Sequence, residues 1–226
     1  MLSELIEWVI TPEHWTGPGG LLAQTLWHLY YCVVSVVAAS VIAIPLGVYI
    51  GHTGRGGVVA VGMTNAMRAL PTLGVVTLLV LLFGLGELPA LASLVVLAIP
   101  AILSGAYSGI QNAPAHAVDA ARGMGMTAGQ RLWQVELPNA LPLLLGGVRS
   151  AMLQVVATAA VAAYVGLGGL GRVLLDGLKV SNYPQMAIAA IVIALLAVVV
   201  DLVLAGISRW LVPRGVILTA RAGNRR

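Results

Sequence analysis

The sequence predicts an all-α membrane protein whose chain crosses the bilayer five times. Apolar residues occupy 59% of the 226 positions and charged residues only 9%. The mean hydropathy of +0.97 lies far above that of soluble globular domains. A transmembrane helix needs about 20 consecutive apolar residues. Runs that meet this requirement are found at 21–50, 58–84, 89–111, 139–163 and 186–211.

Residues 1–20 precede the first run and are predicted to form an external or interfacial segment. Leu2, Leu5, Ile6, Trp8 and Val9 recur at roughly helical spacing, which suits a short amphipathic helix at the membrane surface. A disordered leader is the alternative. Acidic residues stand where a secretory signal would carry basic ones, so we expect this segment to remain on the mature protein.

The charged residues between the runs indicate the orientation, because cytoplasmic loops are enriched in Lys and Arg. The segments on one side carry Arg55, Arg122, Arg131, Arg214, Arg221, Arg225 and Arg226. The opposite segments carry Glu4, Glu7, Glu13 and Glu87, with Arg172 and Lys179 as their only basic residues. We therefore predict an external N-terminus and a cytoplasmic C-terminus, with a transmembrane domain at 21–213 and a basic cytoplasmic tail at 214–226.

Two patterns inside the runs predict more than plain spanning helices. The sequence Arg68-Ala69-Leu70-Pro71 places a charge beside a helix breaker at membrane depth, which suggests backbone that lines a cavity. Gly105 and Gly109 form a small-xxx-small pair, a pattern that allows another helix to approach closely.

Three charged residues lie inside the runs, and the limits above place them at one depth. Arg68, Arg149 and Asp201 each stand ten residues from the predicted cytoplasmic end of their run, which is about 15 Å of helix. Because an isolated charge costs about 2.5–3.5 kcal/mol there, we expect Asp201 to pair with Arg149 or Arg68. The alternative is that each charge reaches the cytoplasmic interface separately.

Several function classes are excluded by what the sequence lacks. It has no phosphate-binding loop, and Lys179, its single lysine, follows Leu178, so the chain cannot hydrolyse ATP alone. No Cys and His spacing predicts a metal site. The positive net charge is explained by membrane orientation, and a nucleic-acid patch is not needed. Asp201 is the only acid inside a run, whereas a proton-coupled transporter needs more.

The predicted cytoplasmic loop at 112–137 carries the most informative motif. It contains Asp119-Ala120-Ala121, then Gly125 after three residues, and Val135, Leu137 and Pro138 after nine more. At every spacing this pattern resembles the "EAA" loop of ABC importer permeases, with Asp in place of the usual Glu. An acid near a helix start, two small alanines and a glycine that permits a sharp turn or a close approach suit a helix that enters a groove. Leu137-Pro138 would end the loop and begin the fourth span.

A second resemblance concerns the glycine-rich run that follows the fourth span. Its residues Tyr164, Gly166, Gly168, Gly169 and Gly171 resemble the glycine betaine, carnitine and choline branch of these permeases, where such a run forms an external mouth. A flexible external turn is the plainer interpretation.

The resemblance implies a complete assembly in the inner membrane. The chain would be a multi-pass permease that works with a second permease copy or paralogue and with an external binding protein. A separate ATP-binding subunit would hold ATP and Mg and contact the loop helix at 115–131, so this chain would need no cofactor or catalytic residue. An ATP-independent secondary transporter or channel remains the alternative, but it would leave the loop motif unexplained.

Overall fold

The computed structural model describes residues 2–213, apart from the side chains of Leu2, Val59, Met63 and Arg68. The predicted tail at 214–226 lies outside the described residues. Between residues 2 and 213 the chain is helical and contains no strand, so the all-α class is confirmed.

The helices are numbered in chain order. They are α1 (Leu2–Ile10), α2 (Leu21–Thr53), α3 (Gly57–Ala69), α4 (Thr72–Phe83), α5 (Glu87–Gln111), α6 (Ala115–Gly123), α7 (Ala128–Arg131), α8 (Leu137–Ala162), α9 (Leu170–Lys179) and α10 (Tyr183–Leu211). Short 3-10 turns occupy Pro12–His14 and Ala163–Val165, and a π-helical turn at Leu132–Glu136 joins α7 to α8.

Four helical stretches of the described chain are long and apolar enough to cross a membrane: α2, α5, the run Ala128–Val165, and α10. The predicted run at 58–84 is not one continuous helix. Its two halves, Ala60–Met67 and Thr72–Phe83, are bent by 93° at the break. Leu70 precedes Pro71, and a residue in that position is disfavoured in helical geometry. Taken as one broken span, the pair brings the count to five.

The chain divides into two compact units, and the first comprises Met1–Ala39, Ala69–Ala98 and Met152–Asp201. Its apolar core includes Trp8 from α1 and Leu21 from α2, packed with residues of α9 and α10. His14 stacks on the Trp8 ring with centroids 4.3 Å apart. The N-terminal segment is therefore a helix held against this unit and not a disordered leader.

The second unit comprises Ser40–Arg68, Ile99–Ala151 and Leu202–Arg226, and its helices approach closely at glycines. A side chain added at Gly105 would lie 2.7 Å from the Cα of Gly147, and one at Gly109 would lie 2.7 Å from the carbonyl oxygen of Ala140. The small-xxx-small prediction for α5 is thus confirmed. Gly47 on α2 makes a similar contact, since its added Cβ would lie 2.8 Å from the Ala106 side chain.

Large apolar side chains cover much of the outer surface of the described helices. In α10 only 17% of the most apolar stretch is buried within the chain, and Val198, Val199, Leu202 and Val203 are exposed. Surfaces of this kind are stable in lipid or against another apolar chain and would be costly in water.

Candidate functional site

Residues 112–137, which join α5 to α8, are called the coupling segment after the contact that the loop motif predicts for them. Its first helix, α6, presents Asp119 and Ala120 on the exposed surface and buries Ala121 against the rest of the chain. Asp119 accepts a hydrogen bond of 3.4 Å from Arg122 one turn later. The motif residues therefore divide between two faces, with the acid and one alanine available to a partner and the second alanine used for internal packing.

Gly125 makes the sharp turn that the sequence predicts. Its φ is +77°, its N–H donates to the carbonyl of Arg122, and the next N–H donates to the carbonyl of Ala121, as in a left-handed helix cap. A side chain added at Gly125 would meet nothing within 4 Å. The prediction of one helix over 115–131 is therefore wrong: the left-handed turn ends α6 at Gly123, and α7 begins at Ala128.

The fourth span also begins earlier than predicted. Thr127 caps α7 through a capping box, because its hydroxyl accepts from the N–H of Gln130 and its own N–H donates to the Gln130 side chain. From Ala128 the helix continues through the π turn into α8 without a break. Leu137 and Pro138 therefore stand inside a helical run and do not start it. A proline lacks the N–H of a regular helical turn, and the wider π turn immediately before it accommodates that loss.

The end of the π turn carries a buried carboxylate. Glu136 is only 5% exposed. Its Oε1 accepts a hydrogen bond of 2.8 Å from Arg131 Nε, and its Oε2 accepts one of 2.5 Å from Nδ1 of His52, 84 residues earlier in the chain. Burial of an unpaired carboxylate would be costly, and these two donors compensate for it. We call Glu136, His52 and Arg131 the Glu136 network.

A cavity of about 400 Å³ adjoins the Glu136 network. Its walls come from the end of α2, the end of α5, and from Asp119 and Arg122 of α6. Close by, the Gln111 side chain donates to the carbonyl of Gly51 at 2.7 Å. The polar ends of α2, α5 and α8 thus meet beside the coupling segment.

The predicted mouth is held against α2. The N–H of Gly169 donates to Gln24 Oε1 at 2.8 Å, and a side chain on Gly169 would lie 3.0 Å from the Cβ of His28. His28 is buried, and its Nε2 donates to the carbonyl of Val156 at 3.0 Å. Both Gly166 and Gly169 have positive φ, +96° and +81°.

The other predicted mouth residues have different environments. Tyr164 is exposed. Gly168 lies beside the Tyr31 hydroxyl, which an added Cβ would approach to 3.4 Å, and Gly171 packs directly on the backbone of Ala160. The structure packs Gly168 and Gly169 against α2 and Gly171 against α8, and leaves Tyr164 on the surface.

Helix α9 follows this run and carries an ion trio. Asp176 accepts from Arg172 Nε at 2.8 Å and from Lys179 Nζ at 3.1 Å. Partial desolvation raises the pKa of Asp176, but the hydrogen bonds and charges of Arg172 and Lys179 outweigh it and bring the pKa below its ordinary value. The two cations also border a cavity of about 230 Å³ beside Tyr164.

The three predicted intramembrane charges lie on different helices. Arg149 is on α8 and Asp201 is on α10, both partly buried. Arg68 is on α3, but its side chain lies outside the described residues. Each of Arg149 and Asp201 takes part in an interaction, and their pairing with one another or with Arg68 stays a prediction.

The Glu136 network was not predicted from the sequence. His52 was expected to be interfacial or structural, and Glu136 was an unspecified position of the loop motif. A carboxylate at the edge of an apolar run was a usable signal, because such a group needs a partner. Its partner could not be inferred from spacing, since His52 is far away in sequence.

A family model described as binding-protein-dependent transport system inner membrane component matches residues 43–215. Among curated proteins, the chain is 31% identical to a glycine betaine/carnitine/choline transport system permease protein, OpuCB, of Bacillus subtilis, over 88% of this chain and 92% of that protein. It is 33% identical to an osmoprotectant import permease protein, OsmW, of Salmonella typhimurium, over 88% of this chain and 94% of that protein.

Solved structures support the same fold. A chain of an inward-facing MetNI methionine ABC transporter superposes with a TM-score of 0.75 at 24% identity, covering 85% of this chain and 97% of that one. An amino acid ABC transporter gives a TM-score of 0.64 at 18% identity, covering 84% of this chain and 91% of that one. At these identities the likeness concerns the fold alone.

Proposed function

Because this chain belongs to the family of binding-protein-dependent transport system inner membrane components, we propose that it imports glycine betaine, carnitine, choline or a similar quaternary amine. The chain is a membrane-spanning permease subunit of an ABC importer and is not an enzyme. Permeases of this family work with an ATP-binding subunit, a second permease and a substrate-binding protein. The solute is the part of the function that requires a proposal.

The similarity to permeases named for these solutes carries the proposal. Relatives from Bacillus, Listeria and Salmonella are 30–34% identical over most of the chain, and their names specify carnitine, choline, glycine betaine or osmoprotectant transport. Recognition of the quaternary ammonium group would rest with aromatic side chains of the binding protein, where cation–π attraction holds such cations. The permease would then release the solute through the membrane.

We propose that the coupling segment is the contact with the ATPase. The exposed Asp119 and Ala120 and the turn at Gly125 support this assignment, because small exposed residues and a sharp turn allow another chain to approach closely. The exposed Met124 beside the turn adds an apolar group that a groove could bury. Leu137 and Pro138 would fix where this surface joins α8. ATP and Mg would be bound entirely by the partner.

We also propose that the run from Tyr164 to Gly171 faces outside and receives solute from the binding protein. One support is the order along the chain: the coupling segment precedes α8, and this run follows the other end of the same helix. The other is that α9 after the run is amphipathic, with Arg172, Asp176 and Lys179 on its exposed side. The N-terminus would then be external and the C-terminus cytoplasmic.

Solute uptake tests the proposal directly. The chain is expressed with its ATPase, partner permease and binding protein in a host that lacks its own quaternary amine uptake, and entry of radiolabelled glycine betaine, carnitine and choline is measured. We expect ATP-dependent uptake of at least one of them, with no uptake of labelled methionine as the matched control. Uptake that persists without the ATPase subunit would instead support the secondary transporter.

A further inference from the structure

The buried carboxylate of Glu136 has no part in the roles proposed above, although it is among the most protected ionisable groups of the described chain. It lies inside the fold at 5% exposure with both oxygens engaged. An ordinary surface ion pair adds little to stability, and a buried one is often replaceable by apolar residues without loss. Its location, at the end of the coupling segment and hydrogen-bonded to His52 of α2, indicates a use beyond stability.

The π turn determines which residues the carboxylate can reach. Arg131 and Glu136 are five positions apart. In a regular α-helix, five residues advance about 500° around the axis and would point the two side chains about 140° apart. In a π turn, where hydrogen bonds join residues five apart, the two positions lie nearly above one another. The wider turn at Leu132–Glu136 therefore brings Arg131 and Glu136 onto one face, toward His52.

The Glu136 network joins the coupling segment to the ends of two spans. His52 is the residue before the last of α2. The carbonyl of Gly51 accepts from Gln111, the last residue of α5, and Gly51 also packs on Ile110. A movement of α7 would thus be carried through Arg131, Glu136 and His52 to α2, and from there to α5.

In the described part of the chain, α6 itself forms no ion pair with these helix ends, and the ionic contact is made by Arg131 and Glu136 after it. The cavity of about 400 Å³ separates Asp119 and Arg122 of α6 from the ends of α2 and α5. A polar space of this size accommodates water and transmits displacement less directly than packed side chains do. The Glu136 network, by contrast, reaches α2 through direct hydrogen bonds.

We propose that Glu136 is a positioning residue for energy coupling, which transmits the displacement of the coupling segment to α2 through His52. This inference rests on the proposed contact between the coupling segment and the ATPase. Glu136 acts through other residues and touches neither solute nor nucleotide. If the Glu136 carboxylate were replaced by a neutral group, the ATPase would still bind and hydrolyse ATP. A smaller part of its movement would then reach the spans.

The test measures coupling separately from assembly. The complete complex with Glu136→Gln is purified and reconstituted with the binding protein, and three quantities are recorded: the amount of ATPase retained, the rate of ATP hydrolysis, and glycine betaine uptake per ATP hydrolysed. We expect retention and hydrolysis to stay near wild type and uptake per ATP to fall about fivefold or more, the lower range of measured couplings between sites. His52→Gln, which keeps the Arg131–Glu136 pair, should give the same loss if the first variant does not fold.

Glu7→Gln is the matched control, because it makes the same change of residue type at an exposed side chain of α1. Uptake per ATP should be unchanged there. If Glu136→Gln or a folded His52→Gln shows wild-type uptake per ATP at a temperature below its melting midpoint, the inference is overturned and the proposed function stands. If the wild-type chain retains no ATPase, the proposed contact fails and the inference fails with it.

Discussion

Gln24 and Gly169 are 145 residues apart in sequence, yet the side-chain oxygen of Gln24 accepts a hydrogen bond of 2.8 Å from the Gly169 N–H. This bond fixes the glycine-rich run against the first residues of α2. Gly169 also packs on His28 so closely that an added Cβ would lie 3.0 Å from it. The run is therefore a tethered segment and not the flexible turn that its composition allows.

We expect Gly169→Ala to destabilise the first unit more than Gly166→Ala does. Both positions have positive φ, which costs a non-glycine residue about 1–2 kcal/mol. Only Gly169 also meets a neighbour, because Gly166 has nothing within 4 Å. Thermal unfolding of the purified chain in detergent measures the difference. Equal midpoints for the two variants would contradict the close packing on His28.

The glycines of α5 and α8 predict a second pair of outcomes. A side chain at Gly147 would lie 2.8 Å from the Ala101 carbonyl oxygen, whereas the neighbouring Gly146 faces open space. Gly147→Ala should destabilise the chain by about 1–3 kcal/mol through overpacking. Gly146→Ala should be neutral or stabilising by up to about 1 kcal/mol, because alanine favours a helix. A higher midpoint for Gly147→Ala would disprove the close approach of α5 and α8.

Gly125→Ala should lower uptake without removing the protein from the membrane. The substitution strains the left-handed turn by about 1–2 kcal/mol and displaces the surface formed by Asp119 and Ala120. Gly56→Ala is the matched control, since Gly56 has φ of +81° against +77° for Gly125, and neither meets another group within 4 Å. Uptake and ATPase retention are measured for both. If the two variants behave alike, the coupling segment has no special part in assembly.

Accessible cysteines can establish the orientation of the chain. Val180 on the predicted external side and Met124 on the predicted cytoplasmic side are 71% and 70% exposed. In a Cys32→Ala background, Val180→Cys should react with an impermeant thiol reagent in intact cells, and Met124→Cys should react only after permeabilisation. The reverse pattern would invert the predicted topology.

The ion trio on α9 predicts a small acid dependence of stability. The pKa of Asp176 lies below its ordinary value of 3.8 in the folded chain. The contribution of the Asp176 ion pairs to the free energy of unfolding is therefore complete above pH 3.8. It is lost as the pH falls through the lower pKa that Asp176 has in the folded chain. Because the group is 43% exposed, we expect well under about 1 kcal/mol. Unfolding midpoints of wild type and Asp176→Asn should converge at acid pH; a difference that grows on acidification would contradict this sign.

Much of the fold could be predicted because lipid imposes a simple rule on sequence. Each spanning helix must satisfy its own backbone and present apolar side chains, so α2, α5 and α10 are visible as long apolar runs. The break between α3 and α4 was also visible, since Pro71 follows Leu70 and the structure begins α4 just after Pro71. The spacing of Gly105 and Gly109 predicted that α5 packs closely against another helix, which the structure shows to be α8.

The coupling segment was predicted less well, for two physical reasons. Thr127-Ala-Gly-Gln130 is the sequence of a capping box, whereas Leu137-Pro138 also predicts a helix start, because proline is frequent in the first turn of a helix. The π turn between them has no sequence signature of its own. The contacts of Glu136 with His52 and of Gly169 with Gln24 depend on tertiary packing across more than 80 residues, which spacing along the chain does not encode.

The π turn bears on how insertions and deletions affect the coupling segment. Removal of one residue within Leu132–Glu136 would turn the wide turn into an ordinary α-helical one and leave Arg131 and Glu136 four apart, still on one face. The ring of Pro138 would then clash with the backbone carbonyl four residues before it, which would destabilise the helix by about 3 kcal/mol. A single-residue gap at this point should therefore be tolerated during divergence only where the proline is replaced as well.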